Sequence, residues 1–331
     1  MFRSLIPVAA LSLLCGLSLP AQAVQRVFVS AISGNDANTA TGCAASAPCR
    51  WFAGAINAVD PNGEIVAMDS GAYGALTITK SVSIISAPGV YAGMTVFSGN
   101  GVTIATPGIN VVLRGLAING LGGANGISMT DGASLTVDGC VISNFPAGRA
   151  LYVNAAAQVA VLDSLMTRNN SGADFYGGAT VTVSRSRFLG NTTSGLYALK
   201  SSAGTTTVSV SQSEASGNGN EGFYAQAYGG GTVRLDLRDS VASGNNSGVY
   251  GYDGGGTLQM SVSTSLISGN SSLGIGINGS AATLTAGGNT VTRNGTGLQQ
   301  ASSATFESTS DNIVRGNTTA TSGTITAVGK T

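Results

Sequence analysis

The residues best placed for chemistry are two aspartates and an arginine, Asp138, Asp163 and Arg185. Each stands six positions ahead of an asparagine that recurs along the chain. Stacked on neighbouring coils, such carboxylates would offer hard oxygen ligands to a divalent cation, with the guanidinium one coil further on. The column continues through Gln212, Asp239, Thr264, Gly288 and Asp311. As a surface ladder the same column needs no ligand, because Arg185 offsets the carboxylate repulsion. Both readings stand at this point.

A second column is aromatic. Tyr152, Tyr176, Tyr197, Tyr224 and Tyr250 fall at matching places on five consecutive repeats, once the first two repeats are slid by a residue or two. Each follows an apolar residue (Leu151, Phe175, Leu196, Phe223, Val249) that should point inward, so each tyrosine should point out. A stripe at strand spacing, roughly 20 Å long, would present flat apolar faces with hydroxyls at the edge, a surface that suits sugar rings. The other reading is an aromatic ladder that stacks on itself and only stabilises the coils.

The remaining inventory is thin. The chain holds no His, which removes the commonest general base and the usual catalytic zinc ligand, and with it any Ser–His triad. Only 9% of the 331 residues are charged, with 15 Lys and Arg against 15 Asp and Glu. That balance argues against a nucleic-acid partner.

These residues need a scaffold, and the asparagines define it. Asn144, Asn169, Asn191, Asn218, Asn245, Asn270, Asn294 and Asn317 recur at spacings between 22 and 27. A period of that length is the signature of a solenoid, in which each coil buries its apolar side against its neighbours. Three residues before each Asn comes Val141, Met166, Phe188, Ala215, Ala242, Ile267, Val291 or Val314, a column expected to face inward. Ahead of it run alternating stretches such as VTVSRS and VRLDLRDS. After the Asn and a Gly comes a second short strand such as GLYAL or GFYAQ. An inward Asn at a corner can bond the next Asn and nearby backbone, so this column is structural.

The N-terminal part is different. Residues 1–23 have Arg3, an apolar run from Leu5 to Leu19 and an Ala21-Gln22-Ala23 end, the pattern of a secretory leader. A membrane anchor is the competing reading, weakened by the short run and Pro20. Once the leader is removed, no segment is expected to insert in a membrane. Export places the protein outside the cell, at its surface or in the periplasm. Cys43 and Cys49, six apart in a polar loop, suit a disulfide in that setting, or two free thiols otherwise. Cys140 is a small packing residue. A helix over 48–60, with Trp51, Phe52, Ala55, Ile56 and Val59 on one face, should cap the open first coil. The expected organisation is a leader over 1–23, an entry segment with the capping helix over 24–63, and one solenoid domain over 64–331.

The opening FVSAISGNDAN, then APCRWFAGAINAV, EIVAMDSGAY and LTITKSVSII, resembles the entry module of right-handed parallel β-helix proteins of the pectate-lyase-like superfamily. VVLRGLAINGLGG and the repeated SGN units are similar to its coils. The resemblance implies an all-β, right-handed parallel β-helix of about ten coils. Its members include lyases, hydrolases, epimerases and adhesins. A pectin hydrolase would need clustered Asp around the Asn-to-Gly turn. Here only Asp174 and Glu221 lie near it, two coils apart and near the upper limit for a hydrolytic carboxylate pair; otherwise each is a solvated surface charge. A calcium-dependent lyase would draw on Asp138, Asp163 and Arg185, and calcium enters only with that reading. No cofactor or resident metal is otherwise implied. The leading expectation is a secreted protein that binds polysaccharide along the tyrosine stripe without a convincing catalytic site. The alternatives are a polysaccharide lyase or glycoside hydrolase, and a structural or adhesive surface protein.

Intact-mass measurement of the exported protein should show cleavage after Ala23 and a Cys43–Cys49 bridge. An unprocessed N-terminus, or two alkylatable thiols without reductant, would count against this reading.

Overall fold

The computed structural model describes residues 25–329. The leader assigned to residues 1–23 lies outside them.

Gly231–Arg238 shows how a coil is made. Val233, Leu235 and Leu237 are buried while Arg234, Asp236 and Arg238 face solvent, the period of a strand with one buried side. Asp239, at φ 49°, then turns the chain in one residue, and Val241–Ser243 runs on. Gly244, at φ 64°, turns it again, and Ser247–Gly254 leads back. Each such coil therefore carries three strands, where the sequence pattern suggests two. A one-residue corner leaves no turn-rich stretch to mark it.

Equivalent strands pair in parallel to form three sheets of 13, 11 and 11 strands. Sheet 1 runs from Arg26–Val29 to Ile325–Val328, and sheet 2 from Gly71–Ala72 to Ile313–Arg315. Sheet 3 runs from Leu76–Ile78 to Thr319–Ser322 and carries the tyrosines. The result is the expected all-β parallel solenoid of about ten coils. Its interior is a continuous apolar column that includes Phe145, Phe175, Phe188, Phe223 and Phe306, all buried. Burying each such side chain contributes about 1.5–3 kcal/mol. No helix among the described residues is long and apolar enough to cross a membrane.

Before the first coils, the only α-helix among the described residues, Phe52–Ala58, buries Phe52, Ala55 and Ile56. It is shorter than the expected 48–60. Trp51 is not on its buried face: it precedes the helix in extended conformation and stands 40% exposed, with the Arg50 guanidinium 3.9 Å from its ring centre. Cys43 and Cys49 are bonded to each other. Arg26–Val29 pairs with Gly63–Ala67, so the entry segment supplies the first strand of sheet 1.

The corner between sheets 2 and 3 holds the asparagines. From Asn169 to Asn294, each side-chain amide donates to the oxygen of the next coil's Asn at 2.8–3.1 Å. The same nitrogen donates to a backbone carbonyl of the preceding coil, as Asn218 does to Phe188 at 3.1 Å. Each Asn oxygen also accepts a backbone N–H from the coil before, as Asn245 does from Asn218 at 2.9 Å. Asn317 closes the row.

Asn144 is not in this ladder. Its coil places Phe145 there, and the Phe145 N–H donates to Asn169 at 3.2 Å. Asn144 occupies the preceding left-handed position (φ 63°), which is Gly190 and Gly217 on later coils, and its amide reaches Asn119 instead. The slip carries two other assignments with it. Val141 is exposed and Ile142 is the inward residue. Asp138 pairs with Leu162 in register, so Gly139, not Asp138, shares a column with Asp163.

A second ladder, not anticipated, fills the corner between sheets 1 and 2. Ser164, Ser186, Ser213, Ser240 and Ser265 are buried, and each hydroxyl accepts the N–H of the equivalent residue one coil earlier at 3.1–3.2 Å. Cys140 heads this row, and burial pushes its thiol up to about 11.

Asn218→Ala should lower stability by about 1–3 kcal/mol by leaving backbone groups unpaired. Asn144→Gly, at a corner that already favours glycine, should change it by less than about 1 kcal/mol. Urea denaturation of both variants checks the pair, and equal losses would put Asn144 back in the ladder.

Candidate functional site

Outward positions of sheet 3 bring the tyrosines together. Tyr197, Tyr224 and Tyr250 are strict register partners on consecutive coils. Their rings stack at 4.8 and 5.8 Å between centroids, with planes 12° and 9° apart. Tyr152 lies in the same column, but its partner one coil on is Asp174, not Tyr176. Tyr176 stands two residues further along the chain, just past the end of the strand Ser171–Phe175. Its ring still bridges the gap, edge-to-face, at 5.5 Å from both Tyr152 and Tyr197.

The five rings therefore form one continuous row, edge-to-face around Tyr176 and stacked from Tyr197 to Tyr250. Their faces, expected to be free for sugar rings, are largely turned on one another. What the stripe offers solvent is ring edges and hydroxyls. Burial holds the Tyr176, Tyr197 and Tyr224 hydroxyls well above the ordinary tyrosine range, so they remain protonated donors. Sheet 3 also lengthens in Glu221–Tyr228 and Ser247–Gly254, which adds Tyr228 and Tyr252 in contact at 5.8 Å. Gln226 links the two rows, accepting from the Tyr197 hydroxyl and donating to that of Tyr228.

Asp174 is the exception in this column. It is buried, not the solvated charge that the sequence suggests. Arg149 donates to it at 2.7 Å, Ser171 donates to its other oxygen, and the Tyr176 hydroxyl lies at 3.3 Å. Burial outweighs these contacts and holds its carboxyl above the ordinary range. Around it opens a shallow groove of about 240 Å³ lined by Arg149, Asn170, Asp174, Tyr176, Thr193, Tyr197, Asn220, Glu221 and Tyr224, among others. Glu221 accepts from Ser194 at 2.7 Å. Arg149 was missed in the sequence, since nothing in PAGRALYV marks it. Asp174 could have been singled out by aligning strands rather than turns, because it then interrupts a tyrosine column.

The other acidic candidates do not converge. Arg185 grips Asp163 with two bonds of 2.8 and 2.7 Å on the exposed corner between sheets 1 and 2. This contact holds the Asp163 carboxyl below its usual range. Both residues are left-handed corner positions, with φ 48°. Asp138 lies in another column, paired with Arg114 at 2.8 Å. No group of three or more His, Cys, Asp or Glu comes together among the described residues. A calcium site needs several free hard oxygens, and here the Asp138 and Asp163 carboxylates are each already engaged by a guanidinium. The donor set does not fit calcium.

The family profile described as "right handed beta helix region" matches residues 75–236. The crystal structure of pectate lyase Pel9A is similar in fold, with a TM-score of 0.57 at 17% identity over 88% of this chain and 78% of that one. No curated protein matches the sequence.

Asp174 also makes a pH prediction. A carboxyl raised above its unfolded value favours the folded state in its protonated form. That contribution is complete below the unfolded pKa and is lost as pH rises through the folded one. Denaturant titrations from acid to neutral pH should show the wild type losing stability relative to Asp174→Asn as pH rises. A gain instead would reverse the sign argued here.

Proposed function

We propose, taking as premise a right-handed parallel β-helix protein of pectate-lyase-like fold, that the chain binds polysaccharide along sheet 3 at the groove over Asp174. One observation supports the reading above all: the groove lies midway along the tyrosine stripe, and beside Arg149, Asp174 and Glu221 its wall is made of hydroxyls and side-chain amides. Phenol and amide groups fixed by stacking can pair with sugar hydroxyls at little cost in side-chain entropy. The ring stack supplies rigidity, and the hydroxyl edge supplies recognition. Export, proposed from the leader pattern and in keeping with the bonded Cys43 and Cys49, would bring the protein to extracellular glycans.

A second reading is polysaccharide cleavage, and Asp174 alone favours it. A buried carboxyl with a raised pKa on a groove is the usual form of a general acid. Glu221 is the second acid on the same groove, two coils along. In that case reducing-end or unsaturated products should form from a polysaccharide panel and be lost in Asp174→Asn.

Binding is tested with Tyr197→Phe and Tyr224→Phe together, which keep the rings and remove the hydroxyls. At about 0.5–1.5 kcal/mol per lost hydrogen bond, affinity for the bound glycan should fall roughly 5- to 150-fold with unchanged far-UV spectra. Unaltered affinity would remove the stripe from recognition. No binding to any glycan would leave a structural scaffold.

A further inference from the structure

Charge decides what kind of chain the Asp174 groove accepts. Three charged side chains line it, Arg149, Asp174 and Glu221. Arg149 is not a free cation. Asp174 takes its Nε at 2.7 Å, and its guanidinium carbon lies 5.1 Å from the centre of the Tyr152 ring. Glu221, in contrast, enters no ion pair among the described residues. Ser194 donates to one of its oxygens, which leaves the other to accept from a ligand.

Within the column the flanking positions add no charge, since Ser128 precedes Tyr152 and Tyr250 follows Tyr224; Lys200, three residues beyond Tyr197, donates to Ser202 and lies outside the groove lining. With Asp174 ionised, the groove carries one net negative charge. With Asp174 protonated it carries none. In neither state is it positive.

Building on the glycan reading above, we propose that this groove takes an uncharged polysaccharide and turns away polyuronates. A sugar hydroxyl can donate to Glu221 in a charge-assisted bond, while other hydroxyls meet the phenols and amides. With Asp174 ionised, a uronate carboxylate placed there would face Glu221 with no unpaired cation in the groove to receive it. It would also give up hydration without a compensating partner.

The test uses matched polymers that differ only in charge, such as polygalacturonate against its fully methyl-esterified form, and a glucan against its C6-oxidised form. Calorimetric titration of the full chain at low ionic strength should show the uncharged member bound about tenfold more tightly or better, with the gap narrowing as salt is added. Glu221→Gln should raise affinity for the carboxylated member about three- to tenfold. Tighter wild-type binding of the carboxylated member would overturn this selectivity while leaving glycan binding in place. A gap untouched by Glu221→Gln would overturn it as well. Failure to bind either member of any pair would instead sink the glycan reading itself.

Discussion

An amide side chain buried at the corner of a coil has two donors and two acceptor sites to satisfy where no water reaches. From Asn169 onward, each Asn solves this only with help from both neighbours. It donates to a carbonyl of the coil before and to the Asn oxygen of the coil after, and its own oxygen accepts from the coil before. No member is satisfied alone. The ladder therefore ties the coils from Asn169 to Asn317 in a single register, and the serine row does the same from Ser164 to Ser265 at the corner between sheets 1 and 2. Among the described residues no buried side-chain nitrogen or oxygen lacks a partner.

The outside inherits this register. Once the corners are locked, residues at matching places on sheet 3 must lie one strand spacing apart, about 4.8 Å. Identical aromatic rings at that distance have little choice but to stack, and Tyr197, Tyr224 and Tyr250 do so. The stripe is then both a stabilising ladder and a rigid row of hydroxyls. Where the repeat departs from itself, a carboxylate enters the aromatic row and is enclosed by Arg149, Ser171 and Tyr176. A polar side chain buried against local pattern is the sort of inconsistency that marks a functional place in an otherwise regular structure.

The cap and the core follow ordinary packing, so they add little to function beyond holding the coils. The acids on the corner between sheets 1 and 2 are a different case. Asp163 and Arg185 adopt the left-handed conformation that turns the chain, and their bidentate pair is a solvent-exposed surface contact that water and salt screen. Their resemblance to a metal or catalytic column came from repetition of the corner itself.

The period of the chain, the alternation within its strands and the ladder from Asn169 to Asn317 could all be read from the residues, because each depends on spacing along one covalent chain. The coil around Phe145 could not. An Asn one place early stood in for the true ladder position, and that single slip displaced Asn144, Val141 and Asp138 together. The serine row stands in the sequence as repeated Asp-Ser, Arg-Ser and Gln-Ser pairs, yet simple alternation continued from the strand before would place those serines outward. Which ring faces are free, whether Asp174 is solvated, and whether Arg149 is paired were settled by folding alone. Each depends on side chains from two or three different coils meeting at a register exact to one residue, and no local spacing carries that information.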